Sequence, residues 1–168
     1  MTVASARVIE CYGRRVVVAL EDGHKQSAEV FGKRLRVVCG DEVAVTTDPS
    51  SGTLQVIETK PRKTHFTRTN AQGRPEVLAA NMTQLVILMS GQPASDPFII
   101  DRYLAGAELG GIKSLLLITK QDLGHSEELQ RHVTVYQQAG YEVLYVSAHQ
   151  PESLIALKDS LRNHVSML

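Results

Sequence analysis

The chain has 168 residues, 43% of them hydrophobic and 21% charged, with a formal net charge of zero. Those values exclude a fibrous or disordered chain and leave room for one ordinary domain or two small ones. No apolar stretch approaches the roughly 20 residues of a membrane span, and the opening MTVASARVIE has no basic segment followed by an apolar one, so no membrane partner and no signal peptide are expected. The neutral total conceals a split. Residues 1–75 hold 12 Lys+Arg against 8 Asp+Glu, and residues 76–168 hold 6 against 10, which suggests two domains with different partners. Cys11 and Cys39 stand apart with no C-x-x-C, so an internal zinc site is not expected; two lone thiols suit a reducing cytoplasm.

The first half reads as strands. RVIECYG, RRVVVALEDG, KQSAEVFGK, DEVAVTTD, GTLQVIETK and THFTRT are short, rich in Val and Thr and partly alternating, with Asp22-Gly23 as a hairpin turn. Five or six such strands predict a small antiparallel barrel of the OB type over residues 1–68, with an SH3-like barrel as the alternative. The polar stretch Thr69–Pro75 predicts a linker, placed over residues 69–80.

From residue 81 the period changes. TQLVILMS is an apolar strand, and Ser95-Asp96-Pro97 a helix start followed by Ile100, Tyr103, Leu104 and Ala107 at helical spacing, closed by Gly110-Gly111. IKSLLLI is a second strand, SEELQRHVTVYQQAG a second helix capped by Ser126, YEVLYVSA a third strand and PESLIALKDSLRNH a third helix. Strand–helix repeated three times predicts right-handed crossovers and a parallel sheet over residues 81–168.

Ligands of such sheets sit beyond the carboxyl ends of the strands. Two polar groups fall there, Thr119-Lys120-Gln121-Asp122 after the second strand and Ser147-Ala148 after the third. A carboxylate accepts only, and guanine offers two adjacent donors on one edge, whereas adenine presents an acceptor at the ring position. Asp122 therefore suits guanine. Lys120 can lay its methylene stem along the base, and the Ala148 N–H can donate to the base carbonyl. Read alone, a lysine and an aspartate two apart are a solvated turn; their place at one strand end, with Ser-Ala at the next, favours a base pocket.

These residues resemble the base-recognition half of a translation-factor-type GTPase, whose usual motif is Asn-Lys-x-Asp followed by a Ser-Ala loop. Their place behind a β-barrel is similar to the circularly permuted GTPase family of the ribosome small-subunit-dependent GTPase A (RsgA, also called YjeQ). The similarity runs through RVIECYGRRVVVAL, VVCGDEVAV, KPRKTHFTR, DRYLAGAELGGIKSLLLITKQDL and YQQAGYEVLYVSA. The resemblance implies an OB-fold barrel that binds the small ribosomal subunit and its rRNA. Behind it would lie a partial GTPase domain with guanine-binding residues Thr119, Lys120, Asp122, Ser147 and Ala148. It also implies a cytoplasmic protein acting in late small-subunit assembly. GTP or GDP with Mg would serve the intact protein, and zinc would belong to a C-terminal part.

Three departures from the family pattern stand out. Position 119 is Thr where Asn is commoner, which reduces or reroutes the bracing of the base loop. There is no G-x-x-x-x-G-K-[ST] and no D-x-x-G, so nothing here cradles phosphates, and the chain by itself is expected not to turn over GTP. NHVSML has the character of the strand that enters a phosphate loop, which suggests an N-terminal fragment with half of its sheet missing and an edge open to dimerisation. For the barrel, Arg14, Arg15, Lys33, Arg34, Arg36, Arg62, Lys63 and Arg68 can meet phosphates and Phe66 or Tyr12 can stack a base. The plainer alternative makes the charges solvated and places Tyr12 and Phe66 in the barrel core. The six histidines show no ligand spacing and read as surface or hydrogen-bonded residues. A barrel plus α/β scaffold that binds RNA without nucleotide is the rival function; a metabolic enzyme has no nucleophile–base constellation to support it.

Overall fold

The computed structural model describes residues 3–168, which divide into two compact units, residues 3–81 and 82–168. The first unit contains β1 (Ala4–Tyr12), β2 (Arg15–Leu20), β3 (Lys25–Val30), β4 (Glu42–Thr47) and β5 (Leu54–Thr59), followed by the hairpin of β6 (His65–Thr69) and β7 (Pro75–Ala80). The first five close in the order β1-β2-β3-β5-β4, with β4 paired back to β1 and β3 running parallel to β5. This is the OB arrangement, and it excludes the SH3-like alternative. Alternation explains the closure. Val16 and Val18 of β2, Val43 and Val45 of β4 and Leu54 and Val56 of β5 pack together with Val8, Ala28 and Val30 in the barrel core, while Val17 and Gln55 between them are less buried. Gly23, at φ +84°, turns β2 into β3 at the expected Asp22-Gly23.

Residues 69–80 are not a linker. Pro75–Ala80 pairs antiparallel with His65–Thr69 around a turn in which the Asn70 carboxamide oxygen accepts from the N–H groups of Gln72 and Arg74 at 3.0 Å. The proline is tolerated because it is the first residue of its strand. Two buried polar side chains then tie this segment to the barrel turn at 37–41. Asn81 donates to the Gly40 carbonyl at 2.9 Å and accepts from the Lys63 N–H at 2.8 Å. Asp41, fully buried, accepts from the Val38 N–H at 2.9 Å and from Arg62 Nε at 2.7 Å and Nη2 at 2.8 Å.

The second unit runs β8 (Gln84–Met89), α1 (Pro97–Leu109), β9 (Lys113–Ile118), α2 (Glu127–Gln138), β10 (Glu142–Tyr145), α3 (Leu154–Leu161) and β11 (Ser166–Met167). Its strands lie parallel in the order β10-β9-β8-β11. The expected caps hold: Asp96 accepts from the Phe98 N–H at 2.9 Å and Ser126 from the Leu129 N–H at 3.2 Å. Leu115 and Leu117 of β9 pack with Leu154, Leu157 and Leu161 of α3 on one face. Ile100, Leu104 and Ala107 of α1 and Leu129, Val133 and Tyr136 of α2 are buried as well. Tyr103, expected on the buried stripe of α1, is 43% exposed. Gln84 opens the otherwise apolar β8 and is fully buried, because its amide reaches the Ser160 carbonyl at 3.3 Å and its oxygen accepts from Ser166 Oγ at 2.7 Å. Among the described residues no helix is long and apolar enough to cross a membrane.

Candidate guanine-recognition site

The carboxyl ends of β8, β9 and β10 bring three loops together. The loop after β9 leaves the strand with Thr119, whose N–H and hydroxyl both donate to the Met89 carbonyl of β8, at 2.8 and 3.2 Å. The Thr119 hydroxyl is therefore spent on the neighbouring strand end. Lys120 takes the left-handed conformation (φ 58°), which only a minority of non-glycine residues adopt, and this turns the chain into the short 3-10 turn Gln121–Leu123 that carries Asp122. The Lys120 ammonium donates to the Gln92 carbonyl at 2.5 Å, in the loop after β8.

The loop after β10 is closed on itself. Ser153 Oγ accepts from the Ser147 N–H at 2.9 Å and donates to the Gln150 carbonyl at 2.6 Å, and Ser147 Oγ accepts from the His149 N–H at 3.0 Å. Ser147 is only 1% exposed and its hydroxyl donates to the Asp122 carboxylate, joining the two loops directly. Two further ties run between them: the Gln121 N–H donates to the Val146 carbonyl at 3.2 Å and Gln121 Nε2 to Gln150 Oε1 at 2.8 Å. Ala148 is exposed between these ties, and no described residue accepts from its N–H. The Ser147 hydroxyl holds the Asp122 carboxyl below its ordinary range, with His149 and Lys120 adding to the effect. An ionised, exposed carboxylate fixed beside a free backbone N–H can accept from two adjacent donors and donate to a neighbouring carbonyl.

All five residues singled out in the sequence lie on these two loops. Gln92, Gln121 and Gln150 were not singled out, since nothing in their local sequence marks a partner 28 or 29 residues away, and Ser153 was not, although its partners Ser147 and Gln150 lie in its own loop. A cleft of about 560 Å³ lies at the opposite, amino end of the sheet and is bridged by Lys113 and Glu142 at 2.7 Å. Ligands of parallel sheets bind at the carboxyl end, so the functional reading stays there. His125 departs from the expected hydrogen-bonded histidines: its ring lies 5.3 Å from that of Tyr145, and its buried Nδ1 has no partner among the described residues.

The basic residues of the first unit separate into two kinds. Arg62 is committed to buried Asp41, and Arg68 pairs with Glu76 at 2.9 Å. Arg14 donates to the carbonyls of Val30 and Gly32. Arg15, Lys33, Arg34, Arg36 and Lys63 are exposed. Phe66 is buried at 3% exposure and cannot stack a base, whereas Tyr12 is 67% exposed, outside the barrel core, with its hydroxyl donating to Glu10 at 3.0 Å. Phe31, overlooked in the sequence, is 61% exposed. Cys11 and Cys39 are free and half-buried, and burial pushes both thiols up.

Residues 59–168 match the family model of the RsgA GTPase. The chain is 39% identical over 152 residues to the small ribosomal subunit biogenesis GTPase RsgA of Nitrosomonas europaea, covering 88% of this chain and 48% of that protein. It is 35% identical over 168 residues to the protein of the same name from Pseudomonas putida, covering 95% and 48%. The chain thus spans about half the length of the curated relatives it matches. Among solved structures it resembles YjeQ from Thermotoga maritima, with a TM-score of 0.72 and 24% identity over 98% of this chain and 59% of that one. It also resembles YloQ, a circularly permuted GTPase, with a TM-score of 0.66 and 19% identity over 98% and 58%. At these identities the two structures speak to the fold.

Proposed function

Because the chain belongs to the RsgA GTPase family, we propose that its second unit recognises the guanine base of GTP or GDP and its barrel docks on small-subunit rRNA. Both would serve late assembly of the small ribosomal subunit. The observation that carries the base reading is the bond from the Ser147 hydroxyl to Asp122, which ties the acidic turn to the loop presenting the Ala148 N–H. Asp122 accepts from the ring N–H and amino group of guanine, Ala148 donates to its carbonyl, and the Lys120 stem covers one face. Charge-assisted bonds contribute about 1.5–3 kcal/mol each, so adenine, which turns a lone pair toward the carboxylate, is disfavoured by powers of ten. Thr119 and Ser147 hold the loops.

GTP hydrolysis is proposed for the longer protein. No phosphate-loop motif occurs in this sequence, and among the described residues no group of three His, Cys, Asp or Glu could hold a metal ion. Without that loop the residues present offer no cradle for a Mg-bound triphosphate. The same lack of a phosphate loop favours the second reading, an rRNA-docking module that uses no nucleotide.

Titration of the chain with guanosine and adenosine separates the two. Preference for guanosine supports a base pocket; equal binding or none selects the docking module. Asp122→Asn replaces one acceptor with a donor, so binding should shift from guanosine to xanthosine by at least tenfold, about 1.4 kcal/mol. Unchanged guanosine affinity in that variant would refute the role given to Asp122.

A further inference from the structure

We propose that the side-chain pair Gln121–Gln150 sets the spacing between the Asp122 carboxylate and the Ala148 N–H, making both glutamines positioning residues for guanine. This rests on the base reading above. A rigid purine must meet both groups at once, so their separation matters as much as their chemistry. Gln121 directly precedes Asp122, and Gln150 follows Ala148 by two residues, so the 2.8 Å bond between the amides links the Asp122 turn to the loop just past Ala148.

Both ends of that bond are anchored. Gln121 is held by its own N–H on the Val146 carbonyl at 3.2 Å. Gln150 is held by its N–H on the Ser147 carbonyl at 3.2 Å, while its carbonyl accepts from Ser153 Oγ at 2.6 Å and from the Ser153 N–H at 2.9 Å. Each glutamine is half-buried, so water competes less for the amides than on an open surface. The Ser147–Asp122 bond joins the loops on one side of Ala148 and the amide pair joins them on the other. Without the amide pair, the remaining ties, Ser147 to Asp122 and the Gln121 N–H to the Val146 carbonyl, both hold residues before Ala148, and the residues after it lose their link to the Asp122 turn.

The test uses the 168-residue chain, with guanosine affinity and the amide resonance of Ala148 as readouts. Gln121→Ala and Gln150→Ala should each weaken guanosine binding about 3- to 10-fold. The double variant should lose no more than either single one, because both break one interaction. Gln150→Glu retains an acceptor for Gln121 Nε2 and should keep the parent affinity, a rescue that loss of general stability would not give. The Ala148 resonance should move in Gln121→Ala before any ligand is added. Unchanged affinity in both alanine variants, or losses that add in the double variant, would overturn the positioning role while guanosine still binds the parent chain. If the parent chain shows no preference for guanosine over adenosine, the base reading itself falls and takes this inference with it.

Discussion

The protonation state of Asp122 is set mainly by one hydroxyl. Ser147 donates to it and depresses its pKa, so the carboxylate survives into more acidic solution than an ordinary aspartate's. A depressed carboxyl contributes its bond energy above the unfolded pKa and loses it as pH falls through the folded one. Guanosine affinity should therefore stay level from neutral pH to about pH 5 and fall only in stronger acid. In Ser147→Ala that fall should begin at a higher pH, as titrations across the acid range would reveal. The placement of Lys120, Asp122, Ser147 and Ala148 just past two strand ends was legible because apolar runs and residue types mark it locally. Gln121 and Gln150 were not, because a side-chain bond across loops leaves no periodic trace. Arg62 misled for the same reason: in KPRK it reads as a phosphate ligand, but its partner, buried Asp41, lies 21 residues upstream.

Individual strands and helices were read well wherever burial imposes a period. The three strand–helix repeats of the second unit and the alternating barrel strands follow from apolar spacing alone. The β6–β7 hairpin was half missed, since PEVLAA has little alternation and follows a turn rich in polar residues. The end of that hairpin bonds to the barrel turn, with the Ala80 N–H on the Cys39 carbonyl at 2.9 Å, and comes close only because residue 40 is glycine. A Cβ there would lie 1.9 Å from the Ala80 carbonyl oxygen, and the φ of +88° is one that side chains avoid. Gly40→Ala should thus destabilise the first unit by more than about 3 kcal/mol, measured by urea unfolding, whereas an alanine at an open surface site stays within about 0.5 kcal/mol.

For the molecule as a whole, the charge split divides the proposed labour between rRNA and nucleotide. If the barrel meets phosphates through Lys33 and Arg34, replacing either with Ala should reduce the salt dependence of rRNA binding by about one unit of slope. Arg62→Ala should leave that slope unchanged and instead cost about 3 kcal/mol of stability by stranding the Asp41 charge. The sheet of the second unit carries a consequence of another kind. Its strand β8 pairs through Gln84 and Leu85 with Ser166 and Met167 of β11, across some 82 positions. During synthesis that flank of β8 must wait for those 82 positions to follow it out of the ribosome, so this ladder zips later than the one β8 makes with β9.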